Sequence, residues 1–529
     1  MKPTPKQESS QVTRRDIFRA GTAASVASLL AALPLRSSAA APAARMPTRG
    51  GGPNVYEKAG ARPFINCTST YTINGGSAQL PEVIEAVHEA AYYHVNLDEL
   101  MEAIGPRIAE LLGAEAAMVS SGAAGAVTCG TLACVAGGDP EKMQQLPDTT
   151  GIKNEVVVPS WSRSTYDHAV RTTGIRMVEV TTLEDLQKAF GPRTAMCTAQ
   201  VNILSERNPF TMEQFTAEAH KHGVPVLIDA AADLPLVPNP LLAKGADLVA
   251  YSGGKILRGP QTAGILIGRK DLITAAFANS APHHAFARAM KVSKEEIVGV
   301  YVAVHSLMNG RSRQAEDDLW RSWYKEISAQ ITKVDGVTTS VNQPASAANY
   351  PTLNVEWDPK KIGLTAEELG EMLLDGDPRI KTHAGGDGHK FLLRPCAMYE
   401  GEHKIVAARL YDIFSNAPGE KPKPQLKPPT VTIDGHWDID IQFSVGSARH
   451  KVFLEVDGNK VTGQYLARIT DAPVRGTLSG NEIKFTGGGR VEATRLSYTF
   501  TGHVQGDHMS GEVSLGEYGP ARWTAKRRA

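Results

Sequence analysis

Cysteine is scarce in this chain of 529 residues: five, at Cys67, Cys129, Cys134, Cys197 and Cys396. An odd count without a CxxC pair argues against a disulfide framework. It leaves the thiols as small buried apolar groups. An excess of one charge is also missing, since 56 Lys and Arg balance 56 Asp and Glu. No whole-chain field draws the protein to nucleic acid or acidic lipid. Long apolar runs are absent too. The best stretch, residues 20–35, is Ala-rich and shorter than the ~20 residues of a stable membrane span. HExxH, GxSxG and P-loop motifs do not occur. His88-Glu89 and His94 lack zinc-protease spacing. His283-His284 lack carboxylate or Cys partners at ligand spacing, so no metal is expected.

What is present begins at the N-terminus. Arg14 and Arg15 precede the Ala-rich stretch, and small residues follow up to Ala40. This resembles a twin-arginine export signal over residues 1–40, which implies a periplasmic enzyme exported already folded. At ~150 residues per domain the rest holds about three folding units.

Between residues 54 and 300, short β-branched runs alternate with amphipathic ones. Strands are expected at 116–120, 155–160, 176–180, 194–200, 225–229, 248–252 and 264–269. Most are apolar on both faces, as in a parallel sheet covered by helices. In the helical pattern of 81–95, Ile84, Val87 and Ala91 share a face. In that of 211–223, Thr211 caps, Phe215 and Ala219 face inward, and Gly223 ends the helix. The reading is an α/β major domain at 41–309, a small α+β domain at 310–416, and a Pro- and Lys-rich linker at 417–430. Residues 431–529 then read as an antiparallel β module, with DGN, SGN and QGD turns and a barrel-like outline.

The chemistry lies in two segments. VPVLIDAAADLP ends a strand at Asp229. YSGGKILRGP places Lys255 after the next strand, 26 residues on. This pairing suits pyridoxal 5′-phosphate (PLP). The lysine amine forms an imine with the cofactor aldehyde and later moves the substrate Cα proton. The carboxylate keeps the pyridine nitrogen protonated. Ser252 can donate to the phosphate. VSSGAAGAV supplies an anion site at a helix start: the Ser121 hydroxyl and the N–H groups of Gly122, Ala123 and Ala124.

With INCTSTYTINGGS, AELLGAEAAMVSSGAAGAV, YDHAVRTTG and RAMKVSKEEIVGVYVAV, these segments resemble the selenocysteine-synthase-like group of PLP enzymes. That group also holds D-glucosaminate-6-phosphate ammonia-lyase-like proteins. The resemblance spans about residues 54–416. It implies a fold-type-I, aspartate-aminotransferase-like domain, with sites at the interface of a homodimer or a larger ring. It assigns Lys255 and Asp229 to catalysis, and residues 121–124 with Ser252 to the phosphate. Arg163 and His168 become candidates beside the ring; His168 is equally a helix-surface residue. Gln200 ends a strand at the right edge for cofactor or substrate. Arg288 and Lys291 could reach an anion across the interface or form a solvated helix face. Arg394 could hold a substrate carboxylate or serve a structural salt bridge.

The implied activity on a small amino compound is that of an ammonia-lyase or dehydratase, or another carbon–heteroatom lyase. Aldolase, aminotransferase and racemase chemistry share the same Cα–H step. Selenium transfer to tRNA fits poorly with export and neutral charge. A non-catalytic binding module fits poorly with the retained Lys255, Asp229 and phosphate turn.

Overall fold

The computed structural model describes residues 54–343, 350–386, 388–422 and 425–528. The export signal expected at residues 1–40 lies outside the described residues. Seven strands form the main sheet: β1 (Ala116–Ser121), β2 (Glu155–Pro159), β3 (Arg176–Val180), β4 (Thr194–Gln200), β5 (Val226–Asp229), β6 (Leu248–Ser252) and β7 (Ala263–Gly268). Their order is β1-β7-β6-β5-β4-β2-β3. Neighbours from β3 to β6 run parallel, and β7 is antiparallel to both β1 and β6. Away from the edge strand β3, strand residues are nearly all buried, because helices cover both faces.

Helices flank this sheet, among them α1 (Pro81–Ala90), α2 (Leu97–Leu112), α3 (Gly122–Ala136), α4 (Met212–Lys221) and α5 (Lys294–Asn309). α3 is built almost wholly of small residues and is buried along most of its length. That composition lets its backbone lie close on the strands: a Cβ at Gly130 would come 2.4 Å from the Leu227 side chain. α4 follows its sequence pattern, capped by Thr211, burying Phe215 and Ala219, and closed by Gly223 in the left-handed region. α1 departs from it. The helix stops at Ala90, Ile84 is 49% exposed, and Ala91 is exposed as well. The buried contact runs through Val83, with Val87 packed beside it against Ala303 of α5. Among the described residues Ile84 is left about half exposed.

The smaller unit joins α6 (Arg313–Ile331), α7 (Ala366–Asp375) and α8 (Glu402–Ser415) to an antiparallel sheet. Its strands β8 (Val337–Asn342), β9 (Thr352–Trp357) and β10 (Lys390–Leu393) take the order β10-β9-β8. The chain enters this unit earlier than its text suggests. Ile65–Asn66 pairs in parallel with Ile380–Lys381, and Ile65 and Cys67 belong to its core rather than to the main sheet's. All five cysteines are free, four of them buried.

The segment 417–430 is tied at both ends. The Pro418 carbonyl accepts from the Gly363 N–H, and the Lys427 N–H donates to Ser479 Oγ. Beyond it, β11 (Gly435–Gln442), β12 (Ser447–Asp457), β13 (Lys460–Leu466), β14 (Asp471–Ser479), β15 (Glu482–Val491), β16 (Thr494–Gln505), β17 (His508–Ser514) and β18 (Pro520–Arg527) close into an up-and-down barrel. Gly458, Gly480 and Gly506 of the three turn motifs adopt positive φ. Alternate residues point inward, and the core is aromatic: Phe485 stacks on Phe500 at 4.6 Å between centroids, with Trp523 edge-on to Phe500 at 5.4 Å.

Because the barrel has its own core, Phe500→Ala should destabilise it by about 3–5 kcal/mol. Denaturant unfolding followed by tryptophan fluorescence should show the barrel transition moving. The transition of the main α/β unit should stay in place.

Candidate active site

The parallel strands deliver their carboxyl ends to one edge, where ligands of open α/β sheets bind. Gln200, Asp229, Ser252 and Ser121 are the last residues of β4, β5, β6 and β1. Gln200 stands opposite Asp229 in the ladder, and Ser121 and Ser252 stand opposite Ala263 and Gly264 of β7.

At one side of this edge is the anion site. α3 starts directly from β1, with Gly122 at φ +66°, and no side chain caps its first turn. The first N–H groups of a 15-residue helix are therefore free to meet an anion. The approach is tight: a Cβ on Gly264 would lie 2.1 Å from the Gly122 carbonyl carbon. Only glycine on β7 admits the helix start here. The arrangement is a backbone cradle of the kind that a phosphate fills.

Lys255 follows Ser252-Gly253-Gly254. The glycines are needed for close approach, since a Cβ on Gly254 would sit 2.4 Å from Gln261 Cα and one on Gly253 2.8 Å from the Ala263 carbonyl. A clamp unforeseen from the sequence holds the loop. The Arg311 guanidinium donates to the Ile256 and Leu257 carbonyls at 3.0 and 3.1 Å and forks onto Glu316 at 3.1 and 3.0 Å. Arg258, a non-glycine residue at φ 58°, donates to the Ala78 carbonyl at 2.8 Å and pairs with Glu316 at 3.5 Å. Nothing in the sequence around Arg311 marks this grip, because the carbonyls it holds are 55 and 54 residues away.

Burial lowers the basicity of the Lys255 amine, opposed by the charges of Asp229 and Asp233. A neutral amine is the nucleophilic form, so this loss of basicity favours bond formation to a carbonyl. Burial pushes the Asp229 carboxyl up, against the Ala231 N–H bonded to it at 2.9 Å and the nearby Lys255 charge. That N–H is its single hydrogen-bond partner among the described residues, which leaves a carboxylate oxygen for a pyridinium N–H. Burial also pushes Asp233 up, to about 6, with Lys255 pulling the other way.

A cleft in front of Asp229 is lined by Gln200, Thr198, Ser162, Ser164, Tyr166 and Asp167. The Tyr166 ring centroid lies 6.0 Å from the Lys255 amine. Gln200 donates to Ser164 Oγ at 2.9 Å. The segment 161–169 thus stands where the sequence placed it, but through other side chains. His168 is exposed and does not line the cleft. Arg163 points away, its side chain 1% exposed and paired with Asp167, Glu179 and Glu492. Its guanidinium is saturated by carboxylates and does not touch the ring site. Tyr166 and Ser164 take the places expected of Arg163 and His168.

Arg394 donates to the Thr68 carbonyl at 3.1 Å and makes no salt bridge among the described residues. It stands near the Lys255 loop through Tyr350, which hydrogen-bonds Ser69 and packs by Ile256. Arg288 and Lys291 are exposed and lie apart from the cleft of this chain.

A strand-end carboxylate, a half-buried lysine after the neighbouring strand and an uncapped helix start, on this strand order, define a PLP-dependent enzyme of fold type I. The residues present fit the cofactor at both its phosphate and its ring nitrogen. The chain belongs to the SelA-like family, and the model for L-seryl-tRNA selenium transferase matches residues 68–317. A D-glucosaminate-6-phosphate ammonia lyase from Salmonella typhimurium is 29% identical over 380 residues, covering 69% of this chain and 99% of that protein. A 5′-C-glycyluridine monooxygenase-decarboxylase from Streptomyces sp is 32% identical over 377 residues, covering 68% and 92%. A solved D-glucosaminate-6-phosphate ammonia-lyase structure superposes with a TM-score of 0.61 at 29% identity, over 69% of this chain and 99% of that one. The protein is a PLP-dependent, lyase-like enzyme of this family.

Asp233 supplies a pH signature. Its folded value lies above the ordinary 3.8, so the native state binds more protons than the unfolded state up to about 6. Its contribution is favourable at low pH and is lost as pH rises through that window. Asp233→Asn should therefore stabilise the cofactor-free protein above pH ~6 and leave it little changed below pH ~4. Thermal midpoints of the two proteins measured across this range check the sign.

Proposed function

We propose that this protein is an exported ammonia-lyase or dehydratase acting on a hydroxylated amino acid or amino-sugar acid, with Lys255 as the covalent and proton-moving lysine. The observation that carries this reading is the pairing of a half-buried Lys255 of lowered basicity with a strand-end Asp229, in a chain so similar to an ammonia lyase over nearly all of that protein. Bound PLP supplies an electron sink that weakens the bonds at the substrate Cα. Asp229 keeps the ring nitrogen protonated through its unpaired oxygen. Residues 121–124 and Ser252 hold the phosphate, and Gln200 borders the ring. Lys255 would hold the cofactor through its amine and move the Cα proton of a bound substrate, and the cofactor would supply the sink that lets a β-substituent leave. Arg394 offers its fork to the substrate carboxylate.

A homodimer, or a larger ring of this chain, is part of the reading. Ile84, Tyr92 at 72% exposure, Tyr93 and Val95 form an apolar patch around the end of α1 that one chain leaves bare. In such an assembly the exposed Arg288 and Lys291 would serve a neighbouring site. Export rests on the Arg14-Arg15 signal, and it places the reaction in the periplasm, apart from tRNA.

The test is covalent and chemical together. Purified protein with PLP should show visible absorption that borohydride bleaches, fixing the cofactor's mass on the peptide containing Lys255. Lys255→Ala should lose this label and about 10²–10⁴-fold of any ammonia release from hydroxy amino acids or amino-sugar acids. Carbon dioxide release with oxygen uptake, and no ammonia, would favour decarboxylation instead. A colourless protein that takes up no PLP would overturn the enzyme reading.

A further inference from the structure

The barrel is not remote from the cleft. The turn joining β15 and β16 consists of Glu492 and Ala493, between the paired Val491 and Thr494. Glu492 sits at φ 51°. A left-handed residue in a tight hairpin is ordinarily Gly, Asn or Asp, so a glutamate there carries a backbone cost. Its carboxylate explains the choice. Glu492 Oε2 accepts from Arg163 Nη2 at 2.5 Å, and Oε1 lies 3.9 Å from Arg171 Nη2. The Glu492 carbonyl accepts from Arg490 Nε at 2.8 Å, which steadies the turn.

Arg163 stands between two residues that line the cleft. Ser162 donates to Asn202 at 2.6 Å and accepts from the Gln200 N–H at 3.3 Å. Ser164 accepts from the Tyr166 N–H at 3.2 Å and from Gln200 at 2.9 Å. Asp167, which also borders the cleft, takes the Arg163 Nε–H, and Glu179 at the edge of the sheet takes Nη1. Three directions of one guanidinium thus converge on the cleft wall, the sheet edge and the barrel turn. Removing Glu492 would take away the partner of Nη2 and leave the guanidinium held by Asp167 and Glu179 alone.

We propose that Glu492 is a positioning residue for the cofactor site: from the barrel it locks Arg163, and through Arg163 the wall segment carrying Ser162, Ser164 and Tyr166. The barrel then tunes the enzyme from outside its α/β body. The ammonia lyase discussed above is covered almost completely by 69% of this chain, so close to a third of the present protein has no counterpart in it. The inference rests on the PLP reading of the cleft. The two fail separately, since cofactor uptake by the unaltered protein tests that reading and the difference between variants tests this one.

The experiment uses the full chain with Glu492→Gln, Glu492→Asp and, as a control, Glu482→Gln, an exposed residue at the opposite end of β15. The PLP dissociation constant, the visible circular dichroism of the bound cofactor and the thermal midpoint are measured on each. Glu492→Gln should raise the dissociation constant about tenfold and alter the dichroic band, as small misplacements in a site do. Glu492→Asp should restore part of both, and Glu482→Gln should match the unaltered protein. An unchanged dissociation constant and band in Glu492→Gln, whatever its thermal midpoint, would reduce the contact to a tie between domains and overturn the proposal. Should Glu492→Gln not fold, the same two readouts on Glu492→Asp decide: both intermediate supports positioning, both unchanged overturns it.

Discussion

A lysine amine held out of water beside two carboxylates is the constraint on which the site depends. Burial strips Lys255 of part of its basicity, and Asp229 and Asp233 return part of it. The same burial raises both carboxyls. Asp229 ends one strand, and Lys255 and Asp233 follow within four residues of a strand end, so all three lie at the carboxyl edge where ligands of such sheets bind. The Arg311–Glu316–Arg258 clamp serves this same constraint from the smaller unit, since it grips the carbonyls directly after Lys255. The two α/β units thus meet at the loop that carries the reactive amine.

Much of this was legible because local chemistry dictates it. Each of the seven strands of the main sheet lies within a residue or so of its apolar run, and the three Gly turns of the barrel fall where Asn-, Asp- and Ser-flanked glycines demand positive φ. Lys255, Asp229, the 121–124 turn, Ser252 and Gln200 come together since all stand at strand ends or directly after them. What escaped the sequence depends on long-range partners. Arg163 reads as a cofactor-side cation, yet two of its three carboxylates lie 16 and 329 residues away, and these turn it from the cleft. Ile84 reads as core by helical period, but α5 meets α1 at Val83 and Val87. The segment around Ile65 falls within the 41–309 major domain by sequence, yet it pairs with Ile380 of the smaller unit.

Backbone strain marks the same places. Among the described residues, three that are not glycine adopt positive φ: Ser69, Arg258 and Glu492. Ser69 hydrogen-bonds Tyr350 near Arg394, Arg258 closes the lysine loop, and Glu492 reaches Arg163 from the barrel. Such residues persist only where surrounding contacts over-determine them.

The central claim, that Asp229 fixes the charge of the cofactor ring opposite Lys255, is open to one direct reading. The protein is loaded with PLP labelled with ¹⁵N at the pyridine nitrogen, and the ring shift is recorded across neutral pH with and without Asp229→Asn. A protonated nitrogen in the unaltered protein that becomes neutral in the variant is the predicted result. A neutral nitrogen in the unaltered protein, or a shift indifferent to the substitution, would contradict the account.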